Sequence, residues 1–81
     1  MKQQVLKVHP KDNVLVALTD LKAGQLVGYQ GSNYQLVDDV DAKHKFYMQD
    51  MQAGDEVYMY GTLVGKIQFS VKLGTRMTTD N

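Results

Sequence analysis

Apolar residues recur along the chain in short runs, separated by Gly, Asp and Asn, and no run keeps a helical period for three turns. The runs are Val5-Leu6-Lys7-Val8, Val14-Leu15-Val16-Ala17-Leu18, Gln25-Leu26-Val27-Gly28-Tyr29 and Tyr34-Gln35-Leu36-Val37. Four more follow: Lys45-Phe46-Tyr47-Met48, Val57-Tyr58-Met59-Tyr60, the stretch 63–69, and the short pair Arg76-Met77. Each has strand length and favours β-branched or aromatic side chains, which predicts a mainly β domain. Gln30-Gly31-Ser32-Asn33 and Tyr60-Gly61-Thr62 carry the residues that tolerate positive φ, so each predicts a tight hairpin turn.

The chain also resembles itself at a shift of thirty residues. Thr19-Asp20-Leu21-Lys22-Ala23-Gly24 falls on Gln49-Asp50-Met51-Gln52-Ala53-Gly54, Val27 on Val57, Gly31 on Gly61 and Ser32 on Thr62. After a one-residue gap, Asp39-Val40-Asp41-Ala42-Lys43 falls on Ser70-Val71-Lys72-Leu73-Gly74. Four copies of one signature result, each a short polar residue, an apolar residue, two further residues and usually Gly. Such a signature predicts a short single-turn helix: Asp or Ser caps it, the apolar residue pins it, and Gly ends it in the left-handed region. Lys43 stands where the other copies have Gly, so that turn either ends differently or carries strain. Two similar halves in so short a chain suggest a pseudo-twofold β fold in which neither half folds alone. The competing explanation is that Asp-apolar-x-x-Gly recurs as common turn chemistry.

With 81 residues, there is room for one domain, residues 1–81, and one modest core, but not for a deep active site as well. Nine Lys and Arg balance nine Asp and Glu, so no net field draws nucleic acid or an anionic membrane. The absence of cysteine removes disulfides, thiolate metal sites and thiol nucleophiles, and fits a reducing compartment. The first residues reach a charge before any useful apolar length, unlike a signal peptide or membrane anchor, and cytoplasm is the expected location.

Several uncommon strings together resemble the start of altronate dehydratases and the related galactarate dehydratases. They are Lys7-Val8-His9-Pro10-Lys11-Asp12-Asn13-Val14-Leu15-Val16-Ala17-Leu18 with Asp20-Leu21-Lys22-Ala23-Gly24, then His44-Lys45-Phe46 with Asp50-Met51-Gln52-Ala53-Gly54, then Tyr60-Gly61 and Leu63-Val64-Gly65. The resemblance covers nearly the whole chain. It implies a SAF domain, a β-clip fold similar to type III antifreeze protein, that forms the N-terminal part of a larger dehydratase and is joined there to a C-terminal lyase domain. It further implies loss of water from a sugar acid such as D-altronate to give a 2-keto-3-deoxy acid, with a divalent metal, often iron, in the full enzyme. The isolated domain is expected to be inactive, and self-association stays open. The alternative is a SAF module that binds a small ligand or a protein without catalysing anything, since fold alone does not fix function.

The same resemblance makes His9 and His44 catalytic candidates, and Asp12, Asn13, Lys45 and Asn81 substrate-binding candidates. Imidazole near neutrality serves as base, acid or ligand, and an elimination needs both a base and an acid. His44 and Lys45 also break the repeat, standing where the first half has Val14 and Leu15. Against these roles, Pro10-Lys11-Asp12-Asn13 reads equally as a polar turn, and Lys43-His44-Lys45 as a solvated strand edge. Relatives end this domain with two His spaced by one and then Asn; here only Asn81 keeps that pattern, so the metal ligands are unknown. The five tyrosines read as core and strand aromatics rather than as a sugar or base platform.

Overall fold

The computed structural model describes residues 3–78 of the chain, and within them it is built from strands and turns. Seven strands follow one another: β1 (Val5–Leu6), β2 (Val14–Ala17), β3 (Leu26–Tyr29), β4 (Ser32–Gln35), β5 (Lys45–Tyr47), β6 (Glu56–Met59) and β7 (Thr62–Lys66). β1, β2 and β5 form one antiparallel sheet in that order, with Val5 opposite Ala17 and Leu15 opposite Phe46. β3–β4 and β6–β7 are hairpins. Their turns, Gln30-Gly31 and Tyr60-Gly61, have positive φ at both residues, the mirror-image turn whose twist suits a two-residue hairpin. Arg76-Met77 contributes a single bridge, Arg76 opposite Phe46.

The internal repeat appears as hydrogen bonding. Leu21 and Val40 exchange backbone bonds at 2.8 and 2.9 Å, and their counterparts Met51 and Val71 do the same at 2.9 Å each. Gly24 N–H donates to Leu36 and Gly54 N–H to Ile67, again as counterparts.

The four signature copies are not helical turns. Each is a β-turn closed from its fourth residue to its first: Gln25 to Lys22, His44 to Asp41, Asp55 to Gln52 and Thr75 to Lys72, all at 3.0 Å. Positive φ falls at the third residue, as in a type II turn: 84° at Gly24, 76° at Lys43, 91° at Gly54 and 89° at Gly74. The carboxylates also cap differently from expectation. Asp20 accepts from Ala42 N–H, Asp39 from Ala23 N–H and Asp50 from Leu73 N–H, so each reaches across to the paired turn instead of its own. A type II turn exposes no row of orphan N–H groups for a helical cap, and the paired turn lies alongside. Lys43 therefore keeps the shape its glycine counterparts have, at a cost of about 1 kcal/mol for a side chain in the left-handed region.

Two apolar clusters form the interior. One gathers Val5, Leu15, Ala17, Leu21, Val27, Tyr34, Leu36, Val40 and Phe46; the other Val14, Tyr47, Met51, Val57, Ile67 and Val71. Alternation along a strand sends successive side chains to opposite faces. Hence β2 gives Leu15 and Ala17 to the first cluster but Val14 to the second, and β5 gives Phe46 to the first but Tyr47 to the second. The central ladder is buried on both faces, and the halves interlock through it.

Candidate functional site

His44 and Lys45 lie at the start of β5, where the 41–44 turn delivers the chain into the central ladder. The turn is fixed by three bonds: Lys43 N–H donates to Ala17 O at 2.7 Å, Ala42 N–H to Asp20, and Ala17 N–H to His44 O at 2.8 Å. The His44 imidazole is exposed, and it lines an open groove of about 840 Å³ between this turn and the β6–β7 hairpin. Tyr47, Val57, Met59, Val64 and Met77 give the groove an apolar lining, while Lys43, His44, Lys45, Lys66 and Arg76 surround it with positive or protonatable groups. Asp41 is the sole carboxylate among the lining residues. A chain of zero net charge thus gathers three Lys and one Arg against one carboxylate around one groove.

The groups differ in how they are held. Lys45 is half-buried, with its ammonium 5.7 Å from the centroid of the Tyr60 ring, within reach of a cation–π contact. Arg76 donates through Nη1 to Asp39 O at 3.4 Å, and its backbone N–H to Asp38 at 3.0 Å. Burial holds the Tyr47 phenol above its ordinary range, which keeps it neutral. Tyr58, on β6, is raised by its hydrogen bond to Glu56 at 3.2 Å and by the charge of that carboxylate.

The other candidates sit elsewhere. His9 is exposed but lies against the tip of the second hairpin, so close that a Cβ on Gly61 would meet its ring at 2.8 to 3.0 Å; it does not line the groove. Asp12 is buried, 4% exposed, and accepts from Gly61 N–H at 2.8 Å and His9 N–H at 3.1 Å. The Asn13 carboxamide behaves like a strand peptide, donating to Glu56 O at 2.8 Å and accepting from Tyr58 N–H at 3.0 Å. The structure therefore unites His44 with Lys45, and separately unites His9, Asp12 and Asn13 as a clasp on β6–β7. Asn81 lies outside the described residues.

Lys66, Arg76 and Asp41 are groove residues that the sequence did not single out. Lys43 had drawn notice as an irregular turn residue and as part of a solvated strand edge, and no local signal marks Lys66 or Arg76, because folding alone brings them to the groove.

The donor set for a divalent cation is poor. Among the described residues no three His, Asp or Glu side chains converge as metal ligands, and His44 has Lys43 and Lys45 as neighbours. No helix among the described residues is long and apolar enough to cross a membrane.

A mainly β domain with internally repeated, cross-stitched turns is the β-clip of SAF domains. The family model for the SAF domain of altronate/galactarate dehydratase matches residues 3–81, and the chain belongs to this family. An altronate dehydratase of Escherichia coli (strain K12) is 35% identical over 78 residues, covering 96% of this chain and 16% of that protein. An altronate dehydratase of Bacillus subtilis (strain 168) is 29% identical over 76 residues, covering 94% and 15%. The chain thus spans about one-sixth of the length of these relatives.

Proposed function

We propose that the chain serves as the N-terminal SAF domain of an altronate dehydratase, a hydro-lyase of hexuronate catabolism, and that its groove faces the catalytic part of that enzyme. The reaction removes water from D-altronate to give 2-keto-3-deoxy-D-gluconate. In it the C–H bond beside the carboxylate and the neighbouring C–OH bond break, a carbon–carbon double bond forms, and the resulting enol becomes the ketone. One group must accept the carbon-bound proton and another must protonate the departing hydroxyl. His44 is the residue of this chain assigned to proton transfer, and Lys45 holds the substrate's negative charge. The carrying observation is the groove itself, where an exposed imidazole sits among lysines on a domain of a sugar-acid dehydratase family.

His9, Asp12 and Asn13 are assigned to holding the β6–β7 wall of the groove in place, which their bonds to Gly61, Glu56 and Tyr58 support. The divalent metal of the full enzyme, iron on the family resemblance, is assigned to the larger part, since the donors described here do not suit it. The partner is accordingly the lyase domain of the same enzyme, in the cytoplasm.

The test is the full-length dehydratase carrying His44→Ala. Turnover of D-altronate should fall by about 100-fold or more, the usual weight of a positioned acid or base, with the thermal midpoint unchanged. Near-normal kinetics in a folded variant would return the domain to the status of a non-catalytic binding module.

A further inference from the structure

Four turns share one backbone shape, and three of them put Gly at the residue with positive φ. The fourth puts Lys43 there, at φ 76°, in the turn that delivers His44 to the groove. Burial does not offset this choice. Lys43 is exposed, so its side chain gains no buried apolar contact, while the turn around it is fixed by bonds to Ala17 and Asp20 that any residue type would make. A side chain held in an unfavourable backbone region at the rim of a site points to a role for the side chain itself.

Its surroundings identify that role. Lys43 lines the groove together with Lys45 of β5 and Lys66 of β7, and Asp41 is the sole lining carboxylate. Two of the other cations already have contacts, Lys45 with the Tyr60 ring and Arg76 with Asp39 O. An ammonium is a compact, mobile point charge with three donors, suited to the end of a flexible hydroxy acid.

We propose that Lys43 is a specificity-determining residue of the groove, selecting ligands that carry a carboxylate over neutral polyols of the same length. The proposal rests on the dehydratase reading above, and deepens it by assigning a charge-recognising residue that the three sister turns do without.

The experiment compares Lys43→Gly, Lys43→Met and Lys43→Arg in the full-length enzyme, with D-altronate as substrate. In Lys43→Gly, kcat/KM should fall about tenfold, carried by KM, and the dependence of KM on salt should flatten, while the thermal midpoint of the 81-residue chain rises by about 3 °C or more. Lys43→Met should show the same kinetic loss without the thermal gain, and Lys43→Arg should keep KM near that of the parent. Unchanged KM and salt dependence in Lys43→Gly, or an Arg variant as impaired as Met, would overturn the proposal. That result leaves the dehydratase reading intact if His44→Ala still abolishes turnover. If the parent enzyme does not turn over D-altronate, chemical-shift titration of the 81-residue chain decides the matter. D-gluconate should perturb the amides of Lys43, His44 and Lys45 where sorbitol does not, and Lys43→Met should remove the difference. No perturbation by gluconate refutes the assignment.

Discussion

At the scale of single residues, Asp12 shows how a polar loop residue becomes structural. Its carboxylate is buried, bridges His9 N–H and Gly61 N–H, and ties the loop before β2 to a hairpin 49 residues onward. Asp12→Ala would leave those two amides without their partner in a part-buried site. The expected loss is about 2 kcal/mol, seen as a lower urea midpoint at unchanged slope. Asn13 acts similarly, completing the edge of β6 with its carboxamide. The sequence marked this loop as polar and turn-forming, but not what it holds, because the partners are 43 to 49 residues away and leave no local trace. Lys43 was legible for the opposite reason: three sister copies define what its position requires.

At the scale of elements, the four turns were located correctly by the repeated signature, three of them with its glycine, and their shape was not. Polar-apolar-x-x-Gly fits one helical turn and a type II turn equally; the neighbouring turn, supplying the cap from outside, decides between them. The same contrast separates two glycines with equal φ signs. A Cβ on Gly24 would meet no atom within 4 Å, whereas on Gly74 it would strike Gln35 O and approach Leu36 Cα and Val37 N at 3.0 Å. Gly24→Ala should therefore cost about 1 kcal/mol, the backbone penalty alone. Gly74→Ala should cost about 2 to 4 kcal/mol, because backbone must move as well. Paired denaturant curves of the two variants test the ranking, and equal losses would contradict it.

At the scale of the whole molecule, β2 and β5 exchange side chains between the two clusters, so each half lends the other part of its interior. Peptides 1–38 and 39–81 should each be unfolded by amide chemical-shift dispersion, and a dispersed spectrum from either alone would refute the interlocked account. The mainly β class was readable from the short apolar runs, the hairpins from their turn residues, and the two-part organisation from the repeat. The groove was only half readable: His44 and Lys45 broke the pattern visibly, but Lys66 and Arg76 join them as groove lining only through the packing of elements distant in sequence. Those contacts also determine how force enters the site. Residues 74–77 run beside β5, bonded through Gly74 N–H to Tyr47 O, Tyr47 N–H to Thr75 O and Met77 N–H to Lys45 O. A pull on the chain at Thr78 would load Lys45 through Met77 N–H, and Asp38 and Asp39 through Arg76, so tension on this segment is felt at the residue next to the His44 imidazole.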